Sequence, residues 1–280
     1  MRIDVSDPRD VYKVSVELEN ISEGQYSQIL SEFDKYYHSM APAKSVTKAF
    51  LYAIKMCPDA NPADLWWHVI YRTYLKKYGS DQSWKRTAGF ALEDVFADFY
   101  GPLLLPYGIY ISCIPKKDSY QVVVEMGISD RVAESKIDML LRGSCLTGRL
   151  VIFGGIHLKS SIAERIQDDA PASVVMMEAG YWSGFVTLDS KAFPPPHGDA
   201  VVRGEFGLRT NPDGALKRNY FEKRGQFDNC YSYNTRTIPS EDNPAFKKRI
   251  YTLSFSDKKP DRFMTDIINA WNERKDKFCS

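Results

Sequence analysis

Phosphodiester hydrolysis calls for an acidic side chain in one extended segment and a lysine at the end of its neighbour, and this sequence offers such a pair. Lys136-Ile-Asp138 is followed, 21 residues after the aspartate, by the lysine that closes Gly155-Ile-His-Leu-Lys159. Adjacent antiparallel strands joined by a hairpin can bring two such side chains together. A carboxylate can hold a divalent cation, which neutralises a phosphate and lowers the pKa of its bound water. A lysine can position the attacking water and stabilise the pentacovalent transition state. Aspartates and lysines at strand ends are common, so the spacing by itself leaves solvated or paired surface charges as the alternative.

Two further stretches could contribute. Glu93 falls in Gly89-Phe-Ala-Leu-Glu93, inside a helix expected over residues 83–99. Its neighbours at i−3 and i+3, Phe90 and Phe96, are apolar, which would turn Glu93 inward as a metal ligand or an acid orienting one. An ordinary surface glutamate is the competing reading. Beyond Lys159, Ser161-Ile-Ala-Glu164 matches a capping box that would start a helix over 161–169, ended by Pro171. Side chains in its first turn would point along the same face as Lys159. An arginine there can take guanine O6 and N7 in a bidentate contact, and a glutamate can accept from cytosine N4. An i,i+4 ion pair between Arg165 and Asp169 competes with those roles.

The elements that must position these residues follow from hydrophobic periodicity. Helical spacing appears over residues 23–37, 45–56 and 62–77, the last with Asn61 as cap and Pro62 in the first turn. After the helix over 83–99 the pattern changes to strands over 109–114, 136–141, 149–159, 182–188 and 251–255. The run over 149–159 is so continuously apolar and β-branched that it reads as a buried central strand. Residues 194–199 form a proline-rich loop, and an amphipathic helix over 262–278 closes the chain. Helices first and then a sheet with a helix inserted give an α/β or α+β sandwich. No repeat, low-complexity tract or linker marks a boundary. We therefore expect one domain over 1–280, with a helical part over about 20–100, a sheet core over about 105–256 and a C-terminal helix over about 261–278.

Bulk properties narrow the class. The 280 residues are 44% hydrophobic and 26% charged, as in an ordinary globular protein able to bury a large core. Five scattered cysteines, none in C-x-x-C, argue against a disulfide framework or a zinc site and for a reducing cytoplasm. No secretory signal or membrane span is visible. The net charge of +1 gives nucleic-acid binding no support and does not exclude it, because local distribution sets the surface field. Basic clusters occur at Lys217-Arg218, Lys223-Arg224, Lys247-Lys248-Arg249 and Lys258-Lys259, and alone each reads as a solvated face.

Taken together, these residues resemble the AgeI-like, CCGG-recognising type II restriction endonucleases of the PD-(D/E)XK nuclease superfamily. The likeness extends beyond the acid and lysine to Cys57-Pro-Asp-Ala-Asn-Pro-Ala-Asp-Leu-Trp66, Ser83-Trp-Lys-Arg-Thr87, Gly154-Gly-Ile-His157, Ala163-Glu-Arg165, Phe193-Pro-Pro-Pro-His-Gly-Asp199 and Cys230-Tyr-Ser-Tyr-Asn-Thr-Arg236. It covers roughly residues 15 to 256. It implies a restriction-endonuclease-like α/β core, a central mixed sheet flanked by helices, with a helical N-terminal region. It implies Asp138 as the central metal-binding aspartate, Lys159 as the catalytic lysine, and Glu93 and Asp169 as the remaining carboxylates holding Mg2+. Asp168 and Glu164 are rivals of Asp169. Glu164 and Arg165 would read the inner C·G pairs, and Arg86, a helical face away from Glu93, would be a second base-reading arginine. Ile137 and His157 depart from the simplest motif, standing where proline and an acid are usual. His157 is expected to be a packing or supporting residue. Further implications are double-stranded DNA as partner, a homodimer on DNA, a bacterial cytoplasmic location and a cognate methyltransferase sharing the site. The alternatives are a repair-type nuclease of the same superfamily and a non-catalytic DNA-binding protein on the same fold. No P-loop, G-x-G-x-x-G, G-x-S-x-G or H-E-x-x-H motif supports an unrelated enzyme.

Overall fold

The computed structural model describes residues 1–6, 13–132, 136–163, 165–193, 199–206 and 212–280. Two strands, β1 (Arg2–Ser6) and β2 (Lys13–Glu17), pair antiparallel as a ribbon. The helical part follows: α1 (Glu23–Ser39), α2 (Pro42–Met56), α3 (Pro62–Asp64), a π-helical turn at Leu65–Tyr71, α4 (Arg72–Lys77) and α5 (Asp81–Leu104). Asn61 caps α3 by accepting the Ala63 N–H (3.1 Å), with Pro62 at its first position.

The main sheet is six-stranded, in spatial order β3 (Ile109–Cys113), β4 (Met139–Ser144), β5 (Leu150–Lys159), β6 (Trp182–Thr187), β7 (Cys230–Ser232) and β8 (Ile250–Thr252). β3, β4 and β5 are antiparallel; from β5 onward the strands are parallel, so the sheet is mixed. Parallel neighbours need a crossover. Between β5 and β6 it is α7 (Arg165–Glu178), and between β6 and β7 it includes α8 (Pro212–Glu222). A short α6 (Ser119–Glu125) precedes β4, and α9 (Arg262–Cys279) ends the chain.

Both faces of the sheet are covered, and the period of two assigns each residue to a side. Met139 and Leu141 join Phe153, Trp182 and the helices α5 and α9 in one core, whereas Leu140 and Ile152 join Met176 of α7 in another. Helix α9 lies so close to β4 that a Cβ on Gly143 would fall 2.5 Å from three ring atoms of Trp271. Gly155 is equally constrained: its Cβ would meet Ile137 and Met176 at 2.8 Å.

Several expectations need correction. The strand expected over 136–141 begins at Met139, leaving Asp138 at its entrance. The helix expected over 161–169 starts at Arg165, so Ser161 does not cap it, and it runs through Pro171 to Glu178. The helix continues past Pro171 at the cost of one backbone hydrogen bond, because Ile166, Ala170, Ser173 and Met176 carry on the buried stripe. Phe90 is 56% exposed, so only Phe96 supports an inward Glu93. The expectation of unpaired cysteines fails at one pair: Cys145, just after β4, is bonded to Cys279 at the end of α9. They lie 134 residues apart, and only the packing of α9 against the sheet brings them together. Cys57, Cys113 and Cys230 are free. No described helix is long and apolar enough to cross a membrane.

Because Trp271 rests directly on the Gly143 backbone, Gly143→Ala should destabilise the protein by about 1–3 kcal/mol through overpacking. The urea midpoint should fall with an unchanged m-value. An unmoved midpoint would contradict this seating of α9.

Candidate active site

The site grows from the end of β5, where the sheet changes from antiparallel to parallel pairing. Met139 is registered against Ile156, and the Asp138 N–H donates to the Ile156 carbonyl (3.1 Å). That contact holds Asp138 beside the last residues of β5. Its Oδ2 accepts from the Leu158 backbone N–H (2.7 Å) and from the Lys159 ammonium (2.7 Å). Lys159 is the last residue of β5, opposite Thr187 of β6. Clefts beyond the carboxyl ends of parallel strands are where α/β sheets present side chains to ligands.

A second carboxylate reaches the same ammonium. Asp169, in the second turn of α7, places Oδ2 3.0 Å from Lys159 Nζ, as an ion pair without a directed hydrogen bond. Asp169 is buried, whereas its rival Asp168 is exposed; Glu164, the other rival, lies outside the described residues. Burial alone would pull the Lys159 ammonium down, but Asp138 and Asp169 outweigh it and hold the pKa above the ordinary lysine value. Lys159 is therefore a fixed cation throughout the physiological range.

His157 is fully buried. Its Nε2 lies 3.1 Å from the Ser183 hydroxyl, which is 2.6 Å from that of Ser173, and its ring packs edge-on against Phe227. Burial pushes its pKa below the ordinary value, so it stays neutral. It packs beneath the site, as the sequence suggested.

The recognition candidates are placed less evenly. Arg165 is exposed at the first position of α7 and lines a cavity of about 270 Å3 together with Lys159. Trp66, Tyr71 and Trp84 form an aromatic wall of that cavity, with ring centroids 5.3 Å apart for Trp66 and Trp84 and 5.1 Å for Tyr71 and Trp84. Sequence reasoning passed over this wall, although the Trp66-Trp67 doublet beside Trp84 was a visible signal. Arg86 is exposed on α5 but outside that cavity's lining. The basic clusters are not simply solvated: Lys217, Lys248, Arg249 and Lys259 each pair with an acid, and Arg218 is buried beside Glu222.

Comparison with known proteins agrees with this geometry. The chain is 41% identical to the type II restriction enzyme AgeI of Thalassovita gelatinovora over 281 residues, 96% of this chain and 99% of that protein. The chain belongs to the AgeI family of type II restriction enzymes. A crystal structure of AgeI bound to DNA superposes with a TM-score of 0.89 at 40% identity, over 96% of this chain and 99% of that one. A looser likeness, with a TM-score of 0.45 at 18% identity over 90% and 94% of the two chains, is to the restriction endonuclease BsaWI bound to DNA. No family model matches. The AgeI relationship makes this chain a site-specific deoxyribonuclease with the restriction-endonuclease α/β fold.

Restriction endonucleases generally work with a divalent metal ion, and the charge balance here fits one. Among the described residues, no three acidic, histidine or cysteine side chains form a ready metal cluster, because the carboxylates converge on Lys159 instead. Yet Asp169 Oδ2 is buried without a hydrogen-bond donor. Glu93 on α5 is pushed up to about 8, first by burial and then by the negative charge of Asp138 and Asp94, against the pull of Lys159. Cys113 is pushed up to about 12 by burial, then by Glu93 and Asp94. Both shifts come first from burial, and the neighbouring carboxylates add to them. The donors of the site are hard oxygens, which suit a hard divalent cation.

A carboxyl raised from its ordinary value of 4.5 to about 8 keeps its proton in the folded state across that window. The stability of the metal-free protein should then fall as pH rises from about 4.5 to 8 and level off above it. Glu93→Gln removes this penalty. In chelator, it should match the parent near pH 4.5 and exceed it by on the order of 1–3 kcal/mol at pH 9. Equal urea midpoints at both pH values would show that Glu93 is not in the field of Asp138.

Proposed function

We propose that this restriction endonuclease hydrolyses double-stranded DNA at a palindrome containing CCGG, using Mg2+ held by Asp138, Asp169 and Glu93. The observation that carries this reading is the pair of carboxylates on the Lys159 ammonium, 2.7 and 3.0 Å away, with exposed Arg165 opening the helix immediately beyond. Bound Mg2+ would neutralise the scissile phosphate and lower the pKa of its water. Lys159, fixed as a cation, donates a hydrogen bond to the attacking water and then to the developing charge on the phosphoryl oxygens. The water oxygen bonds to phosphorus as the bond to the 3′ oxygen breaks. The products are a 5′-phosphate and a 3′-hydroxyl, the water's protons passing to solvent and to the departing oxygen.

Arg165, with Glu164, would read the inner C·G pairs through the contacts open to arginine and glutamate in the major groove. Arg86 would be a second reader from α5. A palindrome has two-fold symmetry, so two copies of the chain, each acting as one domain, would sit on one site and cut one strand apiece. The AgeI resemblance favours ACCGGT, cut before the first C to leave four-base 5′ overhangs, with a cognate methyltransferase sharing the site in the cytoplasm.

Sequencing the ends produced from DNA carrying each CCGG hexamer, with and without Mg2+, tests all of this together. Cleavage at ACCGGT only when Mg2+ is present is expected. Cutting without a palindrome would indicate a repair-type nuclease, and binding without cutting a non-catalytic protein. Asp138→Ala should abolish cleavage and leave DNA binding intact. Full activity in that variant would remove the assigned site.

A further inference from the structure

The short strap Ser160 to Ala163, which follows Lys159, has no regular structure, yet it leads into the helix that begins at Arg165. Ala163 sits there at φ +45°, a left-handed conformation that alanine adopts only when its surroundings impose it. What imposes it is Glu205. Both carboxylate oxygens accept the Ala163 N–H, at 2.9 and 3.0 Å. Glu205 is itself buried and anchored: Lys217 bonds one of its oxygens, and Lys191 lies 3.8 Å away. Its own N–H donates to Asp189 Oδ1 (2.6 Å), and Asp189 Oδ2 accepts from the Thr237 hydroxyl (3.2 Å). The preceding Gly204, at φ +77°, is packed so tightly that a Cβ would fall 2.0 Å from Asp189 Oδ2.

The other end of the strap is held from the same segment. Ser190 donates its backbone N–H (2.9 Å) and its hydroxyl (2.7 Å) to the Ser160 carbonyl. The chain after β6 therefore grips the strap at Ser160 and again at Ala163, on either side of its bend. We propose that Glu205 is a positioning residue for sequence recognition: by capturing the Ala163 N–H it fixes the start of α7, and with it the direction of Arg165 relative to Lys159. The role rests on the reading of Arg165 as a base-contacting residue.

The test is the preference for ACCGGT over sites with one inner base pair changed, as a ratio of kcat/KM, in parent, Glu205→Ala, Glu205→Gln and Arg165→Ala. Glu205→Ala should reduce this preference at least tenfold while affinity for unrelated DNA changes little; its melting midpoint should fall, because Lys217 loses its buried partner. Glu205→Gln keeps an acceptor oxygen and should stay within about threefold of the parent. A merely structural role would lower activity on all sites alike and leave the ratio unmoved. Preference retained in Glu205→Ala but lost in Arg165→Ala overturns the positioning role alone. Preference retained in both overturns the recognition reading beneath it. Equal loss in Glu205→Ala and Glu205→Gln shows that charge, not the captured N–H, matters and also overturns the proposal. Should Glu205→Ala fail to fold, hydrogen exchange in the parent decides: a protected Ala163 amide is required, and rapid exchange there rejects it.

Discussion

One ammonium group shared between two carboxylates is the interaction on which the site depends. Lys159 stands between Asp138 and Asp169, which come from the entrance of β4 and the second turn of α7. A buried ion pair gains little unless its remaining hydrogen-bonding capacity is met, and removing one partner leaves a charge uncompensated. Here the Leu158 N–H joins Lys159 on Asp138 Oδ2, so that oxygen is doubly held, while Asp169 Oδ2 accepts no hydrogen bond and faces the lysine at 3.0 Å and His157 Nδ1 at 3.9 Å. The imbalance leaves Asp169 Oδ2 the less satisfied of the two oxygens. Burial first, and then the charge of Asp138, keeps the proton on Glu93 well above the usual carboxylate range. One lysine thus offsets carboxylate charge drawn from two separate elements.

This arrangement tolerates little slippage. A shift of one residue in the β4–β5 register would send Asp138 to the opposite face and exchange the two cores on which Met139, Leu140 and Leu141 alternate. The glycine at 155 helps to secure the register. It leaves room for Ile137 and Met176 to pack over β5, holding the residue before Asp138 and the body of α7 against one strand. The same glycine thereby fixes both elements that carry carboxylates to Lys159. From the other face, Trp271 on Gly143 and the bond between Cys145 and Cys279 tie the far end of β4 to α9.

Most of this frame was legible in the sequence because it is written in period and burial. The continuous apolar run of β5, the amphipathic α9 and the early helices have strong patterns, and the acid and lysine flank a recognisable hairpin. What escaped notice lacks such a pattern. β7 is only three residues long; the β1–β2 ribbon is the exception, since Ile3, Val5, Val14 and Val16 alternate with polar residues as a strand's should. Pro171 misled because the rule that proline ends helices says nothing of a buried stripe that carries on past it. The capping box at Ser161 misled because its sequence is right and its backbone is not: the chain bends at Ala163 instead, held by Glu205 from 42 residues away. The disulfide was hidden for the same reason, being a product of tertiary packing rather than spacing.

On the proposed reading, the strap between Lys159 and Arg165 joins two tasks with different demands. Hydrolysis needs the ammonium placed to within a fraction of an ångström, since misplacement of about 1 Å can lower a rate about a hundredfold. Base reading needs a guanidinium aligned in plane with an edge in the groove. A regular helix continued directly from β5 would satisfy one and leave the other to chance. An irregular bend, gripped at Ser160 and Ala163 by the chain after β6, sets the two directions separately. The same parallel strand that flanks Lys159 therefore supplies, through the segment beyond it, the hold on the start of α7.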